Sequence, residues 1–245
     1  MSLTDISCGI YSRQIMMKEI GESGQRKLGG ASVLVVGCGG LGSPALFYLT
    51  AMGIGHIGLC DMDVVSITNM NRQILYTLAD IGEPKAVTAE KRLLALNPAL
   101  KTTVYDRRFD SIFAGEIVPS YDIAVDCLDN FETRFILNDA CIAAKKPFVH
   151  AGIGEFYGQL MTVTPGKGPC LRCLFPDEKE KKTPEAPFGV IGATPGVIGA
   201  FQALEVCKYL LGLPVNDDGL VLYNGMNLSL DKVPLKASEN CICRT

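Results

Sequence analysis

The chain reads as an α/β protein built on a doubly wound, mainly parallel sheet with antiparallel strands appended, and three observations carry that expectation. Apolar runs of strand length alternate with segments of helical periodicity from Val33 to Val149. The first run ends in a glycine-rich turn that opens a helix. From Gly154 to Val163 the pattern alternates more (Phe156, Gln159, Met161, Val163), which suits antiparallel strands. At 245 residues, 48% hydrophobic and 20% charged, the length suits one or two domains; no boundary is convincing, so residues 1–245 are read as a single domain.

Val33 to Val36 is a buried strand, followed by a G-x-G-x-x-G turn at Gly37, Gly39 and Gly42. Such a Rossmann-like turn lets the backbone approach a pyrophosphate resting on the next helix N-terminus. The helix Ser43 to Met52 stops at Gly53, and Asp61 closes a second strand, His56 to Cys60. An acid at that distance holds a ribose hydroxyl. A helix from Pro84 to Leu96 starts on proline and ends at Asn97-Pro98. Thr102 to Tyr105 and Ile123 to Val125 are the third and fourth strands, Thr133 to Ala144 is a helix, and Pro147 to Val149 begins a fifth strand. The charged, proline-containing stretch Asp177 to Pro187 reads as a mobile loop. Gly189-Val-Ile-Gly192 is echoed by Gly196-Val-Ile-Gly199, which opens an apolar helix to Leu211; the glycines suit close helix packing. Near the N-terminus, Lys18, Glu19 and Glu22 form the polar face of a helix whose Ile15, Met16 and Ile20 face the core or a partner subunit.

A net charge of -3 argues against a nucleic-acid or anionic-membrane surface. No basic segment leads into an apolar core at the N-terminus, and every apolar run is interrupted before spanning length, so a cytoplasmic protein is expected. Of ten cysteines, Cys38, Cys60, Cys127, Cys141 and Cys207 sit in or beside apolar elements and read as small core hydrophobes, while Cys8 falls in the N-terminal segment. Cys170-x-x-Cys173 and Cys241-x-Cys243 read as two halves of a structural Zn²⁺ site clamping the C-terminal tail. The second half is tighter than the usual spacing, and free thiols or a regulatory disulfide are the other readings.

Three clusters separate the nucleotides. Asn69-x-x-Arg72-Gln73 follows Asp61, Lys85 opens a helix, and Asp126-Cys-Leu-Asp129-Asn130 follows the fourth strand. A nicotinamide enzyme requires neither a phosphate clamp nor an acidic metal ligand. Activation of a carboxylate by ATP requires both: cations neutralise the charge that builds at the α-phosphorus, and a strand-end carboxylate suits Mg²⁺.

With these residues the chain resembles the bacterial ubiquitin-activating-type adenylyltransferases, the ThiF/MoeB/HesA family. The resemblance rests on Tyr11-Ser-Arg13-Gln14, Gly37 to Gly42, Asp61-Met-Asp63, Asn69-x-x-Arg72-Gln73-Ile-Leu-Tyr76, Gly82-x-Pro84-Lys85, Asp126 to Asn130, Gly158-Gln159, Cys170-x-x-Cys173 and Gly196 to Gly199, in family order over nearly the whole chain. It implies that Asp61, with Asp63 beside it, holds the ribose and that Gly40 and Asn69 shape the pocket. Arg72 (with Gln73) and Lys85 would contact the phosphates, Asp129 (beside Asn130) would bind Mg²⁺, and Arg13 would enter the neighbouring subunit's ATP site in a homodimer. The substrate it implies is the C-terminal Gly-Gly carboxylate of a small ubiquitin-like sulfur-carrier protein, converted to an acyl-adenylate with release of pyrophosphate.

The chain departs from its relatives in one respect besides the tight cysteine pair. Many carry a cysteine ahead of the last long helix; here that segment is Thr183-Pro-Glu185-Ala-Pro-Phe188, with no cysteine between Cys173 and Cys207. Covalent sulfur relay from this loop is therefore not expected. His150, with no partner visible in the sequence, reads as a structural histidine, and Arg134 as a surface residue or a contact for the carrier tail. Other readings are a tRNA-modifying relative of the family and an oxidoreductase or scaffold on the same fold.

Overall fold

The computed structural model describes residues 9–176 and 189–244. A helical turn α1 (Ser12–Ile15) and helix α2 (Gly21–Gly30) precede β1 (Ser32–Val36), α3 (Gly42–Ala51), β2 (His56–Cys60), α4 (Lys85–Leu96) and β3 (Lys101–Tyr105). There follow α5 (Ser111–Ile117), β4 (Ile123–Asp126), α6 (Phe131–Ala143), β5 (Phe148–Gly154), β6 (Tyr157–Val163), α7 (Leu171–Leu174), α8 (Ala193–Leu211), β7 (Gly219–Asn224) and β8 (Ser229–Pro234). The eight strands form one sheet in the order β3-β2-β1-β4-β5-β6-β7-β8. The first five run parallel and the last three are added antiparallel, with Phe148 opposite Val163 where the direction changes.

β1 lies centrally because both of its faces are covered, which is why it is apolar without alternation. Val33 and Val35 pack with Leu28, Leu46, Leu49 and Val206 from α2, α3 and α8, while Leu34 and Val36 pack with Phe113, Leu137 and Phe148 on the other face. These four apolar side chains are fully buried, each worth roughly 1.5–3 kcal/mol. α8 lies against α3 through Gly199, where a Cβ would stand 2.5 Å from the Leu41 carbonyl oxygen. Gly192 likewise abuts the Asn71 carbonyl, but Gly189 and Gly196 face open space, so only the last glycine of each repeated tetrapeptide has the close-packing role. No described helix is long and apolar enough to cross a membrane.

One expectation changes, and three elements appear that the sequence reading did not name. The N-terminal helix is broken into α1 and α2, with Gly21 at φ +56° opening α2; Lys18 and Glu19 lie in turns, and Met16 is exposed on this chain, which leaves only the partner-facing reading for it. α5 is a seven-residue helix, too short to show periodicity. β7 and β8 extend the antiparallel part beyond β6, and β8 is largely exposed. Cys8, the Asp177 to Pro187 stretch and the Thr183 to Phe188 segment lie outside the described residues.

Candidate functional site

The glycine turn is built by close contact. Gly37 has φ +98°, and a Cβ there would lie 2.5 Å from the Cys127 carbonyl oxygen; one on Gly42 would lie 2.1 Å from the Gly37 carbonyl oxygen. The turn is thus folded against itself and against the segment leaving β4, at the strands' C-terminal ends, where open α/β sheets bind ligands. The Asn69–Gln73 turn packs over it: Gly39 adjoins the Gln73 amide and Gly40 the Arg72 stem. The Asn69 side chain accepts the Ser66 N–H at 3.1 Å, so it shapes this turn from within. Arg72 Nη1 donates to the Thr68 carbonyl (2.8 Å) and to Asn71 Oδ1 (2.9 Å). Gln73 is buried, and its Oε1 has no hydrogen-bond partner among the described residues.

Asp61 is locked beneath the turn: Oδ2 accepts the Cys38 N–H at 2.7 Å and Oδ1 the Asp63 N–H at 2.9 Å. Burial raises its carboxyl above the ordinary value, opposed by the Lys85 charge and by these N–H groups. Each oxygen keeps a lone pair for a hydroxyl donor. Lys85, 6% exposed, pairs its Nζ with Asp63 Oδ2 at 2.9 Å, so in this state Asp63 neutralises the lysine. Tyr76, quoted above without a role, staples the site: its hydroxyl donates to the Cys38 carbonyl at 2.7 Å and lies 3.2 Å from that of Lys85.

On the neighbouring strand end Asp129 is exposed, with the Asn130 amide donating to its Oδ1 at 3.3 Å. Asn130 caps α6, its Oδ1 accepting the Thr133 N–H at 2.9 Å. An exposed strand-end carboxylate beside the glycine turn offers the hard oxygen that Mg²⁺ takes. Below it, His150 is the structural histidine that the sequence suggests, with a partner the sequence does not show, and the reading of Arg134 is overturned. His150 has a partner, Asp126, whose Oδ2 is 2.6 Å from Nδ1; both side chains are fully buried. Burial lowers the His150 pKa despite Asp126, so the ring is neutral. Arg134 is 8% exposed and bonded inside the protein, so it is neither a surface residue nor presented to a carrier. Gln202, which sequence reasoning missed, donates from α8 to the carbonyls of Asp126 (2.7 Å) and Val149 (3.1 Å). An uncharged polar side chain in the middle of an apolar helix is the signal that could have found it.

Arg13, expected in a neighbouring subunit's site, is not brought to this place by the fold of its own chain. α1 is seated at the far end of α3, where Tyr11 packs on Gly53 and Gln14 donates to the Met52 carbonyl. A ten-residue helix separates it from the glycine turn, roughly 15 Å.

The four knuckle cysteines do converge. The ligand atoms of Cys170, Cys173, Cys241 and Cys243 all lie within 4.8 Å of one another, with 3.4 Å between the Sγ atoms of Cys170 and Cys241 and 3.6 Å between those of Cys173 and Cys243. Four thiolates around a tetrahedral Zn²⁺ would stand about 3.8 Å apart. α7 starts at this knuckle and is tied to α6: the Leu171 N–H donates to Asn138 Oδ1 at 3.0 Å and Arg172 Nε to Asp139 Oδ1 at 2.7 Å.

Residues 11–245 match the ThiF family, and the chain belongs to that family. It is 43% identical over 239 residues to the Sulfur carrier protein adenylyltransferase of Thermus thermophilus, covering 94% of this chain and 88% of the relative. The SAMP-activating enzyme E1 of Haloferax volcanii is 41% identical over 244 residues, covering 98% of this chain and 90% of that one. Among solved structures, E. coli MccB with AMPCPP and MccA superposes with a TM-score of 0.85 at 24% identity, over 96% of this chain and 74% of that one, a likeness of fold.

Proposed function

We propose that this chain is an ATP-dependent adenylyltransferase that activates the C-terminal Gly-Gly carboxylate of a small ubiquitin-like sulfur-carrier protein. The observation that carries the reading is the arrangement at three adjacent strand ends: the glycine turn closed on Asp61, the buried Lys85 beside it, and exposed Asp129 across from them. The similarity to relatives named for this activity supports it. The carrier carboxylate oxygen attacks the α-phosphorus; a P–O bond to the acyl group forms, the bond to the β-phosphate breaks, and pyrophosphate leaves. The nucleophile is already an anion, so no general base is needed. The chain contributes orientation and charge neutralisation. The glycine turn cradles the phosphates, Asp61 holds the ribose, and Arg72 and Lys85 meet the growing negative charge, Lys85 exchanging Asp63 for phosphate. Gln73 lies against the same turn. Asp129 would hold Mg²⁺, which would supply positive charge to offset that of the phosphates.

Arg13, exposed and far from its own glycine turn, acts in the site of a second copy, so the working unit is a homodimer. The four converging thiols hold a structural Zn²⁺, and residues 1–245 act as one domain that includes this knuckle. The nine described cysteines are all free, in keeping with a reducing, cytoplasmic setting. With no cysteine between Cys173 and Cys207, sulfur transfer is completed by another component. The test is ATP–pyrophosphate exchange with Mg²⁺ and candidate Gly-Gly-tailed carriers. Carrier-dependent exchange that Asp129→Ala abolishes is expected; ATP binding with no exchange for any carrier would overturn the reading.

A further inference from the structure

We propose that Arg134, braced by Asp126 and His150, is a positioning residue that fixes the turn presenting Asp129, and so sets how strongly a divalent cation assists nucleotide binding. The inference rests on the assignment of Asp129 as the metal-holding carboxylate. Leu128, the residue before Asp129, has both backbone groups held by buried side chains: its N–H donates to Asp126 Oδ1 at 3.1 Å, and its carbonyl accepts from Arg134 Nη2 at 2.6 Å. The same nitrogen donates to the Ala151 carbonyl at 3.0 Å, tying the turn to β5. The residue after Asp129 is the cap of α6. Asp129 therefore projects from a four-residue connection whose two flanks are fixed, while its own side chain remains exposed.

The supporting groups are linked to one another, although Arg134 Nε has no hydrogen-bond partner among the described residues. Arg134 Nε lies 3.6 Å from Asp126 Oδ1, an ion pair with both partners buried. Asp126 Oδ2 accepts from His150 Nδ1, and His150 Nε2 lies 3.2 Å from Gln159 Nε2. An amide nitrogen only donates, so Nε2 accepts and the imidazole proton stays on Nδ1, facing the carboxylate. The Arg134 charge is thus balanced internally and is not offered to phosphate or to a carrier. Lysine keeps the charge but lacks the planar fork that reaches two carbonyls and a carboxylate together.

The experiment is equilibrium ATP binding to the full-length chain, measured in Mg²⁺ and in EDTA, for wild type, Arg134→Lys, Arg134→Met and Asp129→Ala, with melting temperatures alongside. Mg²⁺ is expected to tighten wild-type binding and to do so far less in Asp129→Ala. Arg134→Met should lose about tenfold of the Mg²⁺-dependent gain, with affinity in EDTA unchanged within about twofold and Arg134→Lys intermediate. A merely structural arginine would lower affinity equally in both conditions, and that result overturns the proposal. So does a wild-type Mg²⁺ gain in both Arg134 variants, or in Asp129→Ala. Where Arg134→Met fails to fold, Arg134→Lys decides alone. The measurement needs no carrier, so a failure of carrier-dependent exchange would remove the adenylylation reading and leave this one to stand or fall separately.

Discussion

At the scale of single residues, the site is set by contacts that admit no substitute. Gly37 combines φ +98° with a neighbouring carbonyl oxygen 2.5 Å from where a Cβ would be. Gly37→Ala is therefore expected to cost about 2 kcal/mol or more in urea unfolding and to weaken ATP binding in titration, since the β1 and β4 turns must part. His150 gives the molecule a pH signature. Unfolded, a histidine titrates near its ordinary value of about 6.5; folded, burial lowers its pKa. Below 6.5 the unfolded chain then binds more protons, so this contribution to stability is complete above that value and is lost as pH falls toward the folded pKa. Unfolding free energy measured on either side of pH 6.5 should fall on the acid side, and His150→Gln should flatten that dependence. An unchanged slope in the variant would place the effect elsewhere. Gly37 and Asp61 were legible because their roles are local to a motif. The structural role of His150 was legible too, but neither its partner nor the bracing role of Arg134 was, because the partners lie on other elements.

At the scale of elements, two helices begin on side-chain caps: Asp110 accepts the Phe113 N–H of α5 at 2.9 Å and Asn130 the Thr133 N–H of α6 at 2.9 Å. Losing either cap should cost about 1 kcal/mol. Their functional cost should differ, because only Asn130 adjoins Asp129. Asn130→Ala is expected to weaken Mg²⁺-dependent nucleotide binding and Asp110→Ala to leave it near wild type, with denaturation of both showing similar losses. The longer elements were legible from periodicity and punctuation. α5 offered two turns only, and β8, largely exposed from Leu230 to Pro234, has too little burial to impose a clean alternation.

At the scale of the whole molecule, the C-terminal tail is held by the cysteine knuckle. Leu235, Ala237 and Cys241 pack at the edge of the core that contains Cys170, Leu171 and Cys243. A metal bound only by the folded state stabilises it. Chelation is thus expected to lower the melting temperature and to open residues 235–244 to proteolysis, and Cys170→Ser should do the same without chelator. A chain insensitive to both would exclude a structural Zn²⁺. The proposed exchange of Arg13 between copies has its own test. Arg13→Ala and Asp129→Ala proteins, each inactive alone, should regain about a quarter of wild-type exchange activity when mixed, because half of the dimers are mixed and each has one intact site. No recovery after verified subunit exchange would place Arg13 outside the partner's site.

The amino-acid sequence by itself determined the parallel α/β core, the glycine turn with Asp61 after the second strand, and the paired cysteines. Each of these is written in short-range spacing, where one segment's chemistry is complete in itself. Only the tertiary structure decided that Lys85 faces Asp63, that the C-x-C pair closes on the C-x-x-C pair, and that Arg134 is an internal brace. It also seats Gln14, and with it the helical turn that carries Arg13, at the far end of α3 from the glycine turn of the same chain. The physical reason is that a charge or thiol whose partner lies on another element has no local signature. Its role is settled by which strand ends and helix termini the sheet brings together.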